Sequence, residues 1–365
     1  MPTNVSYKLP DLQSLCEPFE LRTNRACRPV MEASEAWLTG LPDALTKRER
    51  GDLRRMKIGL LAALCFPTCD QPQLRFVTDF WTLLIVANRR ARPGQNPTFD
   101  GLFLHLAGRT ERLESTAPTG FRTRFRNHLD EHLAAERQAV ANEAPDNDVD
   151  AYIAFARHFS GLNNVFDLIA AVEALDLPQA GEERQLLDQL TTHAVDLISW
   201  SWDIVAYNVD QSADRKHNVV QVILNARRGL TIQGAVTAAF AHAEKAQRAF
   251  LECERTVRER LEPPPPPPSP AEPTWGKTLA LLLGFDNEPP APAKPQCTLP
   301  SQQRADALRY VQGLRDCIAG MLHWAYETEM FFGRKQGVRS YIRTFGWVFL
   351  LDKGAEDEDE DGSSA

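Results

Sequence analysis

"RQLLDQLTTHAVDLISWSWDIVAYNV", residues 184–209, spaces its apolar side chains three and four apart and reads as a helix. Its end, "WSWDIVAYNVDQ" at 200–211, decides the fold. There Trp202, Ala206 and Asp210 fall four apart on one helix face. That face offers one oxygen donor and two side chains that bind no metal, so it is either plain core or a metal site partly overwritten.

Outward from this helix, "FDLIAAVEALDLP" (166–178), "VTAAFAHAEKAQRAFLECERTVRERL" (236–261) and "RADALRYVQGLRDCIAGMLHWAYETEMFF" (304–332) repeat the helical spacing, and strand-like alternation is scarce. The expected architecture is all-α. Proline and glycine clusters at 65–73, 92–101 and 175–183 read as inter-helix loops. Residues 263–296 open on a proline run that forbids a helix and favours an extended linker, within which "WGKTLALLLGF" (275–285) reads as a short apolar helix. Because helical spacing resumes after it, the linker is expected as an insertion in one domain formed by 1–262 and 297–354. An acidic tail, 355–365, is expected to be solvated.

The chain has 365 residues, 43% hydrophobic and 25% charged, ample for a large core. A net charge of −8 argues against nucleic acid as a main partner, despite the local "RRAR" at 89–92. Seven scattered cysteines, with no CxxC pair, suggest neither a disulfide framework nor a zinc site. The first residues lack a basic and an apolar leader region, and no apolar run reaches membrane-spanning length, so a cytoplasmic protein without a transmembrane segment is expected. "HLDEH" (128–132) fits an inverted zinc-peptidase pattern, but in a charge-dense helix it reads as a solvated face.

"WDIVAYNVDQSADRKHNVVQVIL" (202–224) resembles the second metal-binding helix and following loop of fungal class I terpene synthases, the basidiomycete sesquiterpene synthases in particular. "YKLPDL" (7–12), 20–38, 60–88, "AYIAFARHFSG" (151–161) and "HWAYETEMFFG" (323–333) resemble that family's segments in the same order. The resemblance implies a single helical barrel around an apolar, aromatic-lined cavity, and magnesium ions that ionise an allylic diphosphate.

Matched residue by residue, the diphosphate chemistry is missing. The family's Asn, Ser and Glu ligands fall on Trp202, Ala206 and Asp210, and the Asp beside the Asn is kept as Asp203. An alternative register, Asn208, Ser212 and Lys216, ends on a cation. Aligning Asp79, Phe80, Leu83, Leu84 and Val86 puts the family's Asp-rich motif on "NRRAR" (88–92), where Arg89, Arg90 and Arg92 repel a metal. Of the family's paired arginines only Arg157 remains, beside Ala156, and its late Arg-Tyr pair becomes Met330 and Phe331. Four motifs with one task have changed together.

The cavity is expected to persist, with Phe76, Phe80, Trp202, Asn208, Arg157, Trp324 and Phe331 as substrate-binding candidates and Trp81, Phe155, Phe159 and Phe332 as further aromatic lining. Trp202 is expected to fill volume that metal and diphosphate occupy in the family. Asp203, Asp210, Arg89 and Arg92, with Glu327, are the candidate catalytic groups around the mouth. Three functions stand: a metal-independent cyclase or isomerase for a terpenoid lacking diphosphate, a non-catalytic terpenoid-binding or interaction protein, and a conventional synthase using farnesyl diphosphate. No cofactor is expected in the first two. The third requires magnesium, on substitute ligands such as Asp79, Asp203 and Asp210.

Overall fold

The run that opens the sequence reading forms one long helix, Glu182–Ser212, and the other helical runs pack around it. The structure, a computed structural model, describes residues 5–262, 297–333 and 336–353. In chain order its helices are α1 (Cys27–Gly40), α2 (Lys47–Met56), α3 (Ile58–Cys65), α4 (Gln71–Arg90), α5 (Phe99–Phe103), α6 (Ala107–Thr116), α7 (Phe121–Val140) and α8 (Val149–Phe159). They continue as α9 (Leu162–Val172), α10 (Glu182–Ser212), α11 (Val219–Ala226), α12 (Ile232–Leu261), α13 (Ser301–Glu327) and α14 (Gln336–Phe345). Two short strands, β1 (Ser6–Lys8) and β2 (Trp347–Phe349), pair antiparallel with Tyr7 opposite Val348. Among the described residues, no helix is long and apolar enough to cross a membrane.

Local chemistry sets the ends of the helices that frame the site. Thr46 and Glu49 close a capping box at the start of α2, and Asp70 and Gln73 do the same for α4, with Pro72 in its first turn. α10 packs against α8, α12 and α13, and α13 also packs against α3. At that last contact a side chain on Gly320 would bring its Cβ 2.7 Å from Cys65 Sγ, so only glycine permits the approach. Trp324 of α13 donates its indole N–H to the carbonyls of Met56 and Lys57 at 3.0 and 3.1 Å. Those carbonyls lie where α2 gives way to α3, at a left-handed Lys57; the Lys57 carbonyl also accepts from Leu60 and Leu61 N in the first turn of α3, and the Met56 carbonyl also accepts from the Thr328 hydroxyl.

Asn208 is a tie, and it lines a groove beside Phe331, α14 and β2 rather than the cavity that Trp81 and Trp202 bound. Its amide donates to Phe349 O at 3.0 Å and accepts from Leu351 N at 2.9 Å, fastening β2 to the last turns of α10. Phe76 and Phe80 likewise depart from expectation: Phe80 packs on Phe99, Phe103 and Phe125 at 5.8–6.1 Å, and Phe76 stacks on Phe80. They build the seam of α4 with α5 and α7, because a helix turns each successive side chain about 100° away. Trp81, one residue on, faces the other way, into the barrel.

The "HLDEH" helix is not a solvated face throughout. His132 and Glu136 of α7 are fully buried; His132 packs edge-on against Phe99 and Glu136 accepts from the backbone of Thr98 and Phe99. His128 pairs with Asp167 while Glu131 reaches His158, so the group is divided among separate partners.

The expected linker, 263–296, and the acidic tail, 355–365, lie outside the described residues. Their flanks are informative. Arg260, near the end of α12, bonds Glu183 at 3.0 Å, and Cys297 bonds the same carboxylate, so the chain leaves and re-enters at the first turn of α10.

Candidate functional site

A cavity of about 120 Å³ lies between α4, α8, α10 and α13. Trp81, Ile85, Phe159, Trp202 and Met321 supply its apolar wall, and Asn88, Tyr152, Ser199, Asp203, Asp210, Arg215 and His217 its polar groups. Trp202 stacks on Trp324 at 5.4 Å and meets Phe331 edge-on at 5.2 Å, while Trp324 and Phe331 are themselves edge-to-face. Each such pair contributes roughly 0.5–1.5 kcal/mol beyond its buried area, so the stack holds Trp202 in place. Trp202 thus lines the cavity as expected; Trp324 and Phe331 support it from behind.

Asp203 is the group most changed by its surroundings. Tyr152 donates its hydroxyl to Asp203 Oδ2 at 2.8 Å, and Val219 N donates to the same oxygen at 2.8 Å. Burial outweighs these bonds and pushes the carboxyl up to about 7, with the nearby Asp210 adding to the rise. Both bonds reach Oδ2, so Oδ1 is the oxygen left to carry the proton. Burial also drives the Tyr152 hydroxyl far above its ordinary range, and it stays a donor.

Asp210, the one metal-type ligand retained on this helix face, is engaged. Arg215 Nε bonds its Oδ1 at 2.8 Å and Asn218 Nδ2 bonds its Oδ2 at 2.9 Å, with Arg215 only 9% exposed. A buried guanidinium therefore supplies the positive charge beside Asp210. The substitute ligand Asp79 is also spoken for: Ser34, Arg75 and Arg109 all bond its fully buried carboxylate. The alternative register fails too, since Ser212 donates to Val209 O and Lys216 lies past the helix, bonded to Asn142. On α4, Asn88 is followed by Arg89 and Arg90. This donor set does not fit magnesium, which needs several unpaired oxygen ligands within one octahedral shell. Among the described residues, no three His, Cys, Asp or Glu side chains converge.

Three polar atoms of the cavity wall, Asn88 Oδ1, Ser199 Oγ and His217 Nε2, are buried without a hydrogen-bond partner among the described residues. Burial holds His217 down to about 4, against a bond to the Ala139 backbone, so the ring is neutral and its unpartnered nitrogen is an acceptor. Unpartnered buried polar atoms of this kind cost about 1–3 kcal/mol each unless water or a polar guest satisfies them.

Other candidates lie apart. Arg157 forms a forked pair with Asp196 at 2.7 and 2.8 Å, on the side of α8 away from the main cavity, whereas Ala156 lines it. Glu327 pairs with Arg343 on α14 at the surface. Arg89 lines the cavity; Arg92 lies outside it, in an adjoining groove that Arg89 also lines. Tyr152, Ser199, Arg215 and His217 were not singled out from the sequence.

The chain is similar to terpene synthases in sequence and in fold. The model of terpene synthase family 2, C-terminal metal binding, matches residues 68–249. Sesquiterpene synthase 1 of Postia placenta is 29% identical over 358 residues, covering 91% of this chain and 92% of that protein. Sesquiterpene synthase Agr1 of Cyclocybe aegerita is 28% identical over 348 residues, covering 89% and 88%. Among solved structures, hedycaryol synthase in complex with nerolidol superposes with a TM-score of 0.60 at 21% identity, covering 87% of this chain and 100% of that one. The α-eudesmol synthase structure superposes with a TM-score of 0.62 at 16% identity, covering 85% and 98%. The helical barrel is that of class I terpene synthases.

Proposed function

We propose that this chain, which belongs to the fungal sesquiterpene synthase-type family of terpene synthases, acts without metal as a cyclase or isomerase on an oxygenated terpenoid that carries no diphosphate. The observation that carries this reading is Asp203, a carboxyl on the cavity wall whose proton is retained to about pH 7. A neutral acid in an apolar chamber both gives and takes back a proton, the pair of steps that an isomerisation or cyclisation needs. Tyr152 and Val219 fix its orientation, and the faces of Trp81 and Trp202 steady positive charge that develops on the guest. Asn88, Ser199 and His217 favour a guest with oxygen functions over a bare hydrocarbon.

The size of the cavity favours a second reading, a terpenoid-binding protein without turnover. About 120 Å³ falls below the roughly 300–1,000 Å³ usual for ligand sites, so a sesquiterpenoid enters only when Trp202 or its neighbours move.

The test incubates purified protein with farnesyl diphosphate, with and without magnesium, and in parallel with farnesol and nerolidol in EDTA. Products are read by gas chromatography and mass spectrometry, and released diphosphate by a colorimetric assay. The expected result is silence with farnesyl diphosphate and a rearranged product from an alcohol that Asp203→Asn abolishes. Binding of the alcohols without conversion selects the second reading. Magnesium-dependent release of diphosphate overturns both.

A further inference from the structure

Beside the cavity lies a second concavity, a groove of about 390 Å³ between α2, the end of α4 and the loop after α10. Arg48, Arg89, Arg90, Arg92 and Arg215 line it, against the carboxylates of Glu49 and Asp52. Some of this charge is committed: Arg90 Nε bonds Glu49 Oε1 at 2.7 Å, Arg55 reaches Asp52, and Arg215 holds Asp210. Arg48 and Arg89 have partners as well, and with Asp210 counted among the acids five arginines face three carboxylates. Arg92 carries no ion pair among the described residues and is only partly exposed. Arg89 and Arg215 line both the groove and the cavity, so the two spaces share a wall.

We propose that this groove anchors an oxyanion on the guest, a carboxylate or a phosphate monoester, while the apolar body of the same molecule occupies the cavity. The inference rests on the reading above and names the substrate class more closely: an acidic terpenoid. A guanidinium presents paired N–H donors matched to the oxygens of either group, and needs no metal between protein and ligand. The same groove wall disfavours a magnesium-bound head group, because arginines repel the cations such a group carries. Charge held at the mouth would fix the direction in which the chain enters, placing its double bonds beside Asp203 and its other oxygens beside Ser199 and His217.

The experiment titrates the full-length protein, in EDTA, with farnesoic acid, farnesyl monophosphate and the neutral control farnesol, following quenching of tryptophan fluorescence and confirming by calorimetry. The acid or the monophosphate is expected to bind at least about tenfold tighter than farnesol, an advantage that shrinks as salt is raised. Arg92→Gln is expected to remove most of that advantage and leave farnesol binding unchanged. Comparing the two anionic probes tells carboxylate from phosphate. Arg92 is tied into no ion pair, so its variant should fold, and the salt titration of the unaltered protein tests the same point without any substitution. Equal affinity for farnesol and both anions overturns the anchor and leaves the apolar-cavity reading intact. Failure of all three probes to bind overturns both.

Discussion

Replacing Asp203 by Asn should change how stability depends on pH in a way that no other single substitution in the cavity does. The carboxyl moves from an ordinary value near 3.8 up to about 7 on folding, so the folded protein binds its proton more tightly than the unfolded chain does. Between those values the native state holds the proton that the unfolded state has lost. Stability therefore falls as pH rises through this window, by about 1.4 kcal/mol per pH unit, and the loss is complete above pH 7. The whole window amounts to at most about 4 kcal/mol, reduced to the extent that solvent entering the cavity screens the carboxylate. Asn has nearly the same shape, its carbonyl oxygen can accept from both Tyr152 and Val219, and it does not titrate. Any fixed cost of the amide is the same at every pH and cancels. The assay is urea unfolding of both proteins at half-unit steps from pH 4.5 to 8.5, with the difference in unfolding free energy plotted against pH. His132 and His217, whose buried rings are held down to about 4, add stability as pH rises from 4 to 6.5 in both proteins and drop out of the difference. The variant should gain on the unaltered protein by 2–4 kcal/mol, roughly, between pH 4.5 and 8. Parallel curves would show that Asp203 ionises as an ordinary carboxylate and would remove the acid from the proposed chemistry.

Asp210→Ala leaves the 9%-exposed Arg215 without its main partner and should cost about 3–5 kcal/mol, whereas the double variant with Arg215→Met should recover part of that loss in denaturant unfolding; equal costs would mean the pair is decoupled. Magnesium at millimolar levels should leave the unfolding temperature unmoved by calorimetry, and a rise of several degrees would refute the argument from the donor set. Excising 263–296 and bridging 262 to 297 with a few glycines and serines should leave helical content by circular dichroism unchanged and the melting temperature within a few degrees, because both flanks meet at Glu183; a collapse in either would make the insertion part of the fold. Trp202→Ala, by removing one ring from the stack with Trp324 and Phe331, should lower stability by about 2–4 kcal/mol while raising affinity for farnesol, and unchanged affinity would mean that Trp202 does not limit the volume of the cavity.

Residues 200–211 could be read as an overwritten metal face because helix periodicity is local: Trp202, Ala206 and Asp210 share a face whatever the rest of the chain does. The reading of "NRRAR" came instead from the family resemblance of the stretch before it, and its arginines sit at the end of α4 and around the groove. What periodicity does not report is which face of a wholly apolar helix looks inward. α4 buries nearly its whole circumference, so Phe80 and Trp81 were equal candidates, and only packing against α5 and α7 separates them. Partnership is equally invisible when it joins distant segments. Tyr152 meets Asp203 across 51 residues, and Arg157 turns from the cavity because Asp196 waits for it on α10. Arg215 lies against Asp210 and arginines line the groove where the resemblance places the family's metal mouth. A buried ion pair of that kind is costly to keep unless its geometry is supported on every side. Decay alone would leave an acid without its arginine, or an arginine without its acid. Both are present and paired, and that pairing favours the proposed site over decay more than the persistence of the barrel does.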